Sequence, residues 1–112
     1  MWIMIAGPYR SGSDDPAIWA ANLRALNHAA LALHRLGHVP VIGVNMALPV
    51  IEAASDPAAY DAIMLPLSLA LAERCDGCLR IGGASHGADA EMARFAARGL
   101  PVWRSLADVP PA

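Results

Sequence analysis

Lysine is absent from this chain, so all eight of its basic side chains are arginines. These are scattered rather than striped, and against ten acidic residues they leave a formal net charge of -2, which offers no basic field to a nucleic-acid backbone. Polymeric DNA or RNA is therefore excluded as the expected partner. Long hydrophobic runs are also missing. Met1–Gly7 is apolar but lacks a basic leader and is too short for a signal peptide or a span, and Ala62–Ala72 is broken by Pro66 and Ser68 and closed by Glu73 and Arg74. No membrane partner is expected, and the cytoplasm is the expected location. Cysteine is limited to Cys75 and Cys78. One C-x-x-C pair cannot complete a zinc site, and it falls where a helix ends and a strand begins, the reverse of the helix N-terminus that activates a thiol. His28, His34, His38 and His86 have no metal-ligand spacing, so neither a metal nor a cofactor is expected.

What is present is apolar. Hydrophobic residues make up 56% of the chain and charged ones 16%, as expected where strands and helices are covered on most faces, some of them by a second subunit. With 112 residues there is room for one domain and one core. Trp2–Ala6 is a short apolar run ended by Gly7-Pro8, the pattern of a buried parallel strand. Asp14 or Asp15 caps the next helix, with Pro16 at its first position and Trp19, Leu23, Leu26, Ala30 and Leu33 recurring at spacings of three and four up to Gly37. His38–Ile42 reads as a second strand that Pro40 pushes toward an edge. Gly43–Pro57 carries mixed signals and reads as a loop or short helix covering a site. Tyr60–Arg74 is helical in spacing, with Pro66 as a kink point; Gly77–Ile81 is a third strand, Ala88–Arg98 a helix and Pro101–Trp103 a last strand. Ser105–Asp108 adds a helical turn.

Strands alternating with helices predict an α/β domain over residues 1–112, a small Rossmann-like or flavodoxin-like parallel sheet with helices on both faces. In such sheets ligands bind beyond the carboxyl ends of the strands, where the loops after Ala6 and Ile81 emerge. The first loop, Gly7-Pro8-Tyr9-Arg10-Ser11-Gly12-Ser13, supplies an aromatic face, a guanidinium and hydroxyls suited to a sugar or a phosphate. The second runs through Gly82-Gly83-Ala84-Ser85-His86-Gly87 into a helix, where glycines admit close approach and unpaired N–H groups meet an anion. It lacks the Gly-Lys-Ser/Thr of a Walker loop and the full dinucleotide fingerprint, which disfavours an ATPase or an NAD enzyme. Ser85 is either an anion ligand or a plain helix cap. Glu91, one turn inside that helix, is either a group for chemistry or a solvated or capping residue; a capping box would need Ala88, a poor capper, which weakens the second account without removing it. Asp61 stands seven positions before Ser68, about two helical turns, so both occupy one helix face.

Taken together, Ala6-Gly7-Pro8-Tyr9, Leu36-Gly37-His38, Cys75-Asp76-Gly77 and Ser85-His86-Gly87-Ala88-Asp89-Ala90-Glu91 resemble, in order and spacing, the nucleoside 2-deoxyribosyltransferase superfamily, which includes the 2′-deoxynucleoside 5′-monophosphate N-hydrolases. The resemblance implies that Glu91 is a nucleophile attacking the anomeric carbon of a nucleotide or nucleoside, with water or a second base resolving the glycosyl enzyme. It also implies 5′-phosphate binding by Arg10 and Ser85, a site shaped by Gly7, Tyr9, Ser11, His86 and Gly87, and a homodimer or higher homo-oligomer. In the transferases the Ser85 position is acidic, so a serine there points toward nucleotides. The family places an aspartate in the helix before the third strand, where this chain has Ser68; Asp61 is the candidate replacement. Catalytic roles are thus expected of Glu91, Asp61 and Tyr9. The competing expectations are a catalytically silent nucleotide-binding module, which would not need Glu91, and an assembly subunit with no small ligand.

Overall fold

The computed structural model describes residues 1–112. Its elements run β1 (Trp2–Ala6), α1 (Pro16–Arg35), β2 (Val39–Val41), α2 (Gly43–Ala54), α3 (Ala59–Ala72), β3 (Gly77–Arg80), α4 (His86–Ala97), β4 (Val102–Trp103) and a final 3-10 turn (Leu106–Asp108). The four strands form one parallel sheet in the order β2-β1-β3-β4. Pro40 lies in the edge strand, where its missing N–H is tolerated.

The alternation of side chains along β1 explains the layering. Ile3 and Ile5 face α1 and pack with Leu26, Leu33, Leu79 and Val109, whereas Met4 and Ala6 face the other way onto Ala72, Cys78, Ala88 and Phe95 from the α3 and α4 side. Right-handed crossovers demand this division, because β1 to β2 runs one way across the sheet and β2 to β3 to β4 runs back. The result is an α/β fold with helices on both faces. No helix is long and apolar enough to cross a membrane.

Local signals account for most boundaries. The Asp15 side chain accepts from Ala17 N at 2.9 Å to cap α1, with Pro16 in the first turn. Asp76, a turn residue, ties β3 to β1 through Trp2 N at 2.8 Å. His38 is buried, bonded to Met1 N at 3.0 Å and Pro110 O at 2.6 Å, and so fastens the C-terminal tail across the N-terminal ends of the strands. One open choice is settled and two expectations are corrected. Residues 43–54 form a full helix, because α2 lies against α3 so tightly that a Cβ on Gly43 would stand 2.0 Å from Ser68 Oγ; tertiary packing overrides the mixed local signals and Pro49. Helix α4 begins at His86, two residues before the expected start, because Ser85 Oγ accepts from Ala88 N. Trp2, expected within a buried strand, is exposed at the rim where β1 begins.

Candidate functional site

Between β1 and β3 the chain leaves the sheet toward opposite faces, into α1 from one strand and into α4 from the other, and a crevice opens at that switch point. A cavity of about 630 Å3 fills it, closed on its third side by α3. The two loops that floor it pack closely enough to exclude a Cβ at either glycine. A Cβ on Gly82, whose φ is +75°, would lie 2.7 Å from Pro8 Cδ, and one on Gly7 would lie 2.9 Å from Leu26 and 3.1 Å from Ile81.

In the first loop, Gly7, Tyr9, Arg10 and Ser11 all line the cavity. The loop is anchored from α1: Trp19 Nε1 donates to Ser13 O at 2.7 Å, and Asn22 Nδ2 donates to Tyr9 O at 2.7 Å. Ser11 and Gly12 turn the chain with φ of +45° and +81°. Arg10 is clamped between two aromatic faces, its guanidinium carbon 4.2 Å from the Trp19 ring centre and 3.7 Å from that of Tyr60. No carboxylate pairs with it, and its buried Nε has no partner. Stacking fixes the guanidinium plane and leaves its N–H edge free for a planar or tetrahedral anion.

From the second loop come Ser85, His86 and Gly87. Ser85 is indeed the helix cap, so the plain reading of this residue holds; its hydroxyl hydrogen still has no acceptor within the chain. The N–H groups of His86 and Gly87 likewise have none, which leaves two donors and the positive end of α4 facing the cavity. Glu91, in the second turn of α4, is 9% exposed and makes no hydrogen bond within the chain. Burial raises its carboxyl from the ordinary 4.5 to about 7, against the opposing charge of Arg80. Phe95 and Ala88, buried to either side of it on the same helix, fix the face it presents.

Helix α3 supplies the remaining wall through Tyr60, Asp61, Met64, Leu65 and Ser68, spaced along one strip. Asp61 is exposed at the mouth, whereas Ser68 is 3% exposed and lies deep, against Gly43. Every sequence-predicted site residue thus borders one cavity. Of the other acids, Asp56 accepts from Ala58 N at 2.9 Å before α3, Asp76 sits at the opposite end of the sheet, and Asp89 pairs with Arg80. Sequence reading missed Trp19, Tyr60 and Arg80. The first two sit at helical spacings that also suit a core, and Arg80 is disguised as the end of a strand. Cys75 and Cys78 are buried free thiols, raised chiefly by burial to about 11 and about 12, which is opposite to an activated redox pair. No protein-family model and no curated protein matches the sequence.

Proposed function

We propose that the protein is a cytoplasmic homodimeric N-glycosidase that cleaves, or transfers, the base of a nucleoside 5′-monophosphate or nucleoside through a covalent ester on Glu91. The observation that carries this reading is the pairing, in one cavity, of a buried carboxyl free of internal hydrogen bonds with an unpaired guanidinium and open N–H groups. A phosphate at Arg10, Ser85 and the start of α4 would orient the sugar so that an oxygen of the Glu91 carboxylate attacks C1′. As that C–O bond forms, the C1′–N bond breaks and its electron pair leaves with the base, which takes a proton from Asp61 or water. Water, or a second base, then attacks C1′ and returns Glu91 as a carboxylate. Tyr9 flanks the sugar, and Tyr60, Met64 and Leu65 give the base an apolar wall. Exposed Met46 and Val50 on α2 provide apolar surface for a second subunit.

One observation favours the alternative, a silent nucleotide-binding module: the deep position on α3 is occupied by Ser68 rather than a carboxylate, and Asp61 is exposed. A chromatographic assay for free base, run over a panel of nucleosides and 5′-monophosphates with and without an acceptor base, separates the two. Base release that disappears in Glu91→Ala is the expected result. Binding of a 5′-monophosphate that is indifferent to Glu91, with no base released from any substrate, overturns catalysis in favour of the module.

A further inference from the structure

An attacking carboxylate must be ionised, and burial of Glu91 opposes ionisation. The counterweight comes from β3. Arg80 is its last residue, 6% exposed, and strand alternation puts it on the same face as Cys78, beneath α4. Its guanidinium donates to the carbonyls of Ile81 and Gly83, the latter at 2.8 Å, and to Asp89 Oδ1 at 3.2 Å. These acceptors all belong to the loop and helix that carry Ser85, His86 and Glu91. The one ion pair of Arg80 is with Asp89, which is 59% exposed, and not with Glu91. A direct ion pair would tie up the carboxylate oxygens that must react, whereas a cation held beside the carboxylate favours its charge and leaves the oxygens free.

We infer that Arg80 is a positioning residue: its bonds to the glycine loop and to Asp89 hold a fixed positive charge near Glu91, so that one side chain both shapes the ligand loop and sets how much of Glu91 is ionised. The inference rests on the reading of Glu91 as the reacting carboxylate. Other groups around Glu91 do not replace Arg80. From α3 come exposed Asp61 and neutral Ser68, from the first loop Tyr9 and the aromatic-clamped Arg10, and from α4 itself exposed His86 and the salt-bridged Asp89. Cys78, beside Arg80 on β3, has its thiol pushed up to about 12 by burial and remains neutral.

The chain has three glutamates, Glu52, Glu73 and Glu91, so labelling glutamate carboxyls with 13C gives three NMR titrations, and Glu91→Gln identifies the third. Arg80→Met is expected to raise the Glu91 midpoint; a rise of one pH unit would leave about one molecule in ten ionised at pH 7. Arg80→Lys, which keeps the charge but not the fork of donors, is expected to stay near wild type. Asp89→Asn is expected to lower the midpoint, and to do so less in the Arg80→Met background. A Glu91 midpoint unmoved in Arg80→Met overturns the inference, whatever Asp89→Asn does, because Asp89 also acts on Glu91 by its own charge. Should Arg80→Met fail to fold, Arg80→Gln, which keeps donors for the loop carbonyls but not the charge, decides it: a purely structural Arg80 predicts an unmoved midpoint there, and the inference predicts a rise. The titration needs no catalysis, so shifted midpoints in a chain that releases no base would sustain the role of Arg80 while removing the N-glycosidase.

Discussion

Replacing Glu91 by Gln is expected to abolish base release and yet stabilise the protein, in a manner that depends on pH. Burial raises the Glu91 carboxyl from 4.5 to about 7, so the native state binds its proton more tightly than the unfolded chain does. An acid raised in this way favours folding while it is protonated. That contribution is full below about pH 4.5, declines as the pH rises, and is gone above about pH 7, where the native state must carry a buried charge. A difference of about 2.5 pH units, at about 1.4 kcal/mol each, caps the penalty at roughly 3 kcal/mol. Glutamine keeps the shape, never ionises, and forfeits no internal hydrogen bond, since Glu91 makes none. The variant should therefore gain roughly 3 kcal/mol over wild type at pH 8 and only a few tenths at pH 4. For a domain of this size that corresponds to a rise in melting temperature on the order of 10 °C at pH 8. Urea unfolding of both proteins at several pH values reads the difference directly, and comparing them cancels every other titrating group. A difference that stays constant from pH 4 to pH 8 would refute the reasoning, because it would mean that Glu91 ionises as freely in the fold as outside it.

Other perturbations test separate parts of the molecule. Gly43→Ala should cost about 2–3 kcal/mol in urea unfolding, since the new Cβ would stand 2.7 Å from Ser68 Cβ and 3.2 Å from its Cα, and the added cost should fall below about 1 kcal/mol in a Ser68→Gly background. Arg10→Lys keeps the charge but loses the planar fork, so calorimetry should find inorganic phosphate or a 5′-monophosphate bound roughly tenfold more weakly; unchanged affinity would place the anion elsewhere. Cys75 and Cys78, buried and raised to about 11 and about 12, should resist iodoacetamide at pH 8 until the protein unfolds, and rapid labelling of the folded chain, seen by mass spectrometry, would contradict their burial.

The parts that sequence made legible are those in which local chemistry and global fold agree. Trp2–Ala6 and Gly77–Ile81 read as buried parallel strands because both faces of β1 and β3 are covered, and from these two strands the meeting of the Tyr9 and Ser85 loops follows by topology alone. The place of Glu91 beside the cavity was legible because it follows the glycine loop by one helical turn. Helix α2 was legible only as one of two alternatives, because its stability comes from contact with α3 more than from its own residues, and Pro49 and Pro57 bracket its apolar segment as breakers. Trp19 and Tyr60 were hidden for the converse reason. Their spacing satisfies a core pattern, and only the folded chain shows that both rings enclose the guanidinium of Arg10. Arg80 followed the same rule as any strand residue until alternation turned it toward α4.

The direct contact of the two loops at Gly7 and Gly82 divides the cavity by mutability. Its floor is close-packed, so a single added methyl group meets the Pro8 ring, the Leu26 side chain or the side chain and carbonyl of Ile81, and substitution there is answered by the strands and by α1. The α3 wall is built of side chains, and Met64 and Leu65, which neither clamp Arg10 nor serve as proton source, can change without moving a strand. Change along that part of α3 would therefore alter what the cavity accommodates while leaving its floor in place. A library confined to those two positions is the place to look for altered preference.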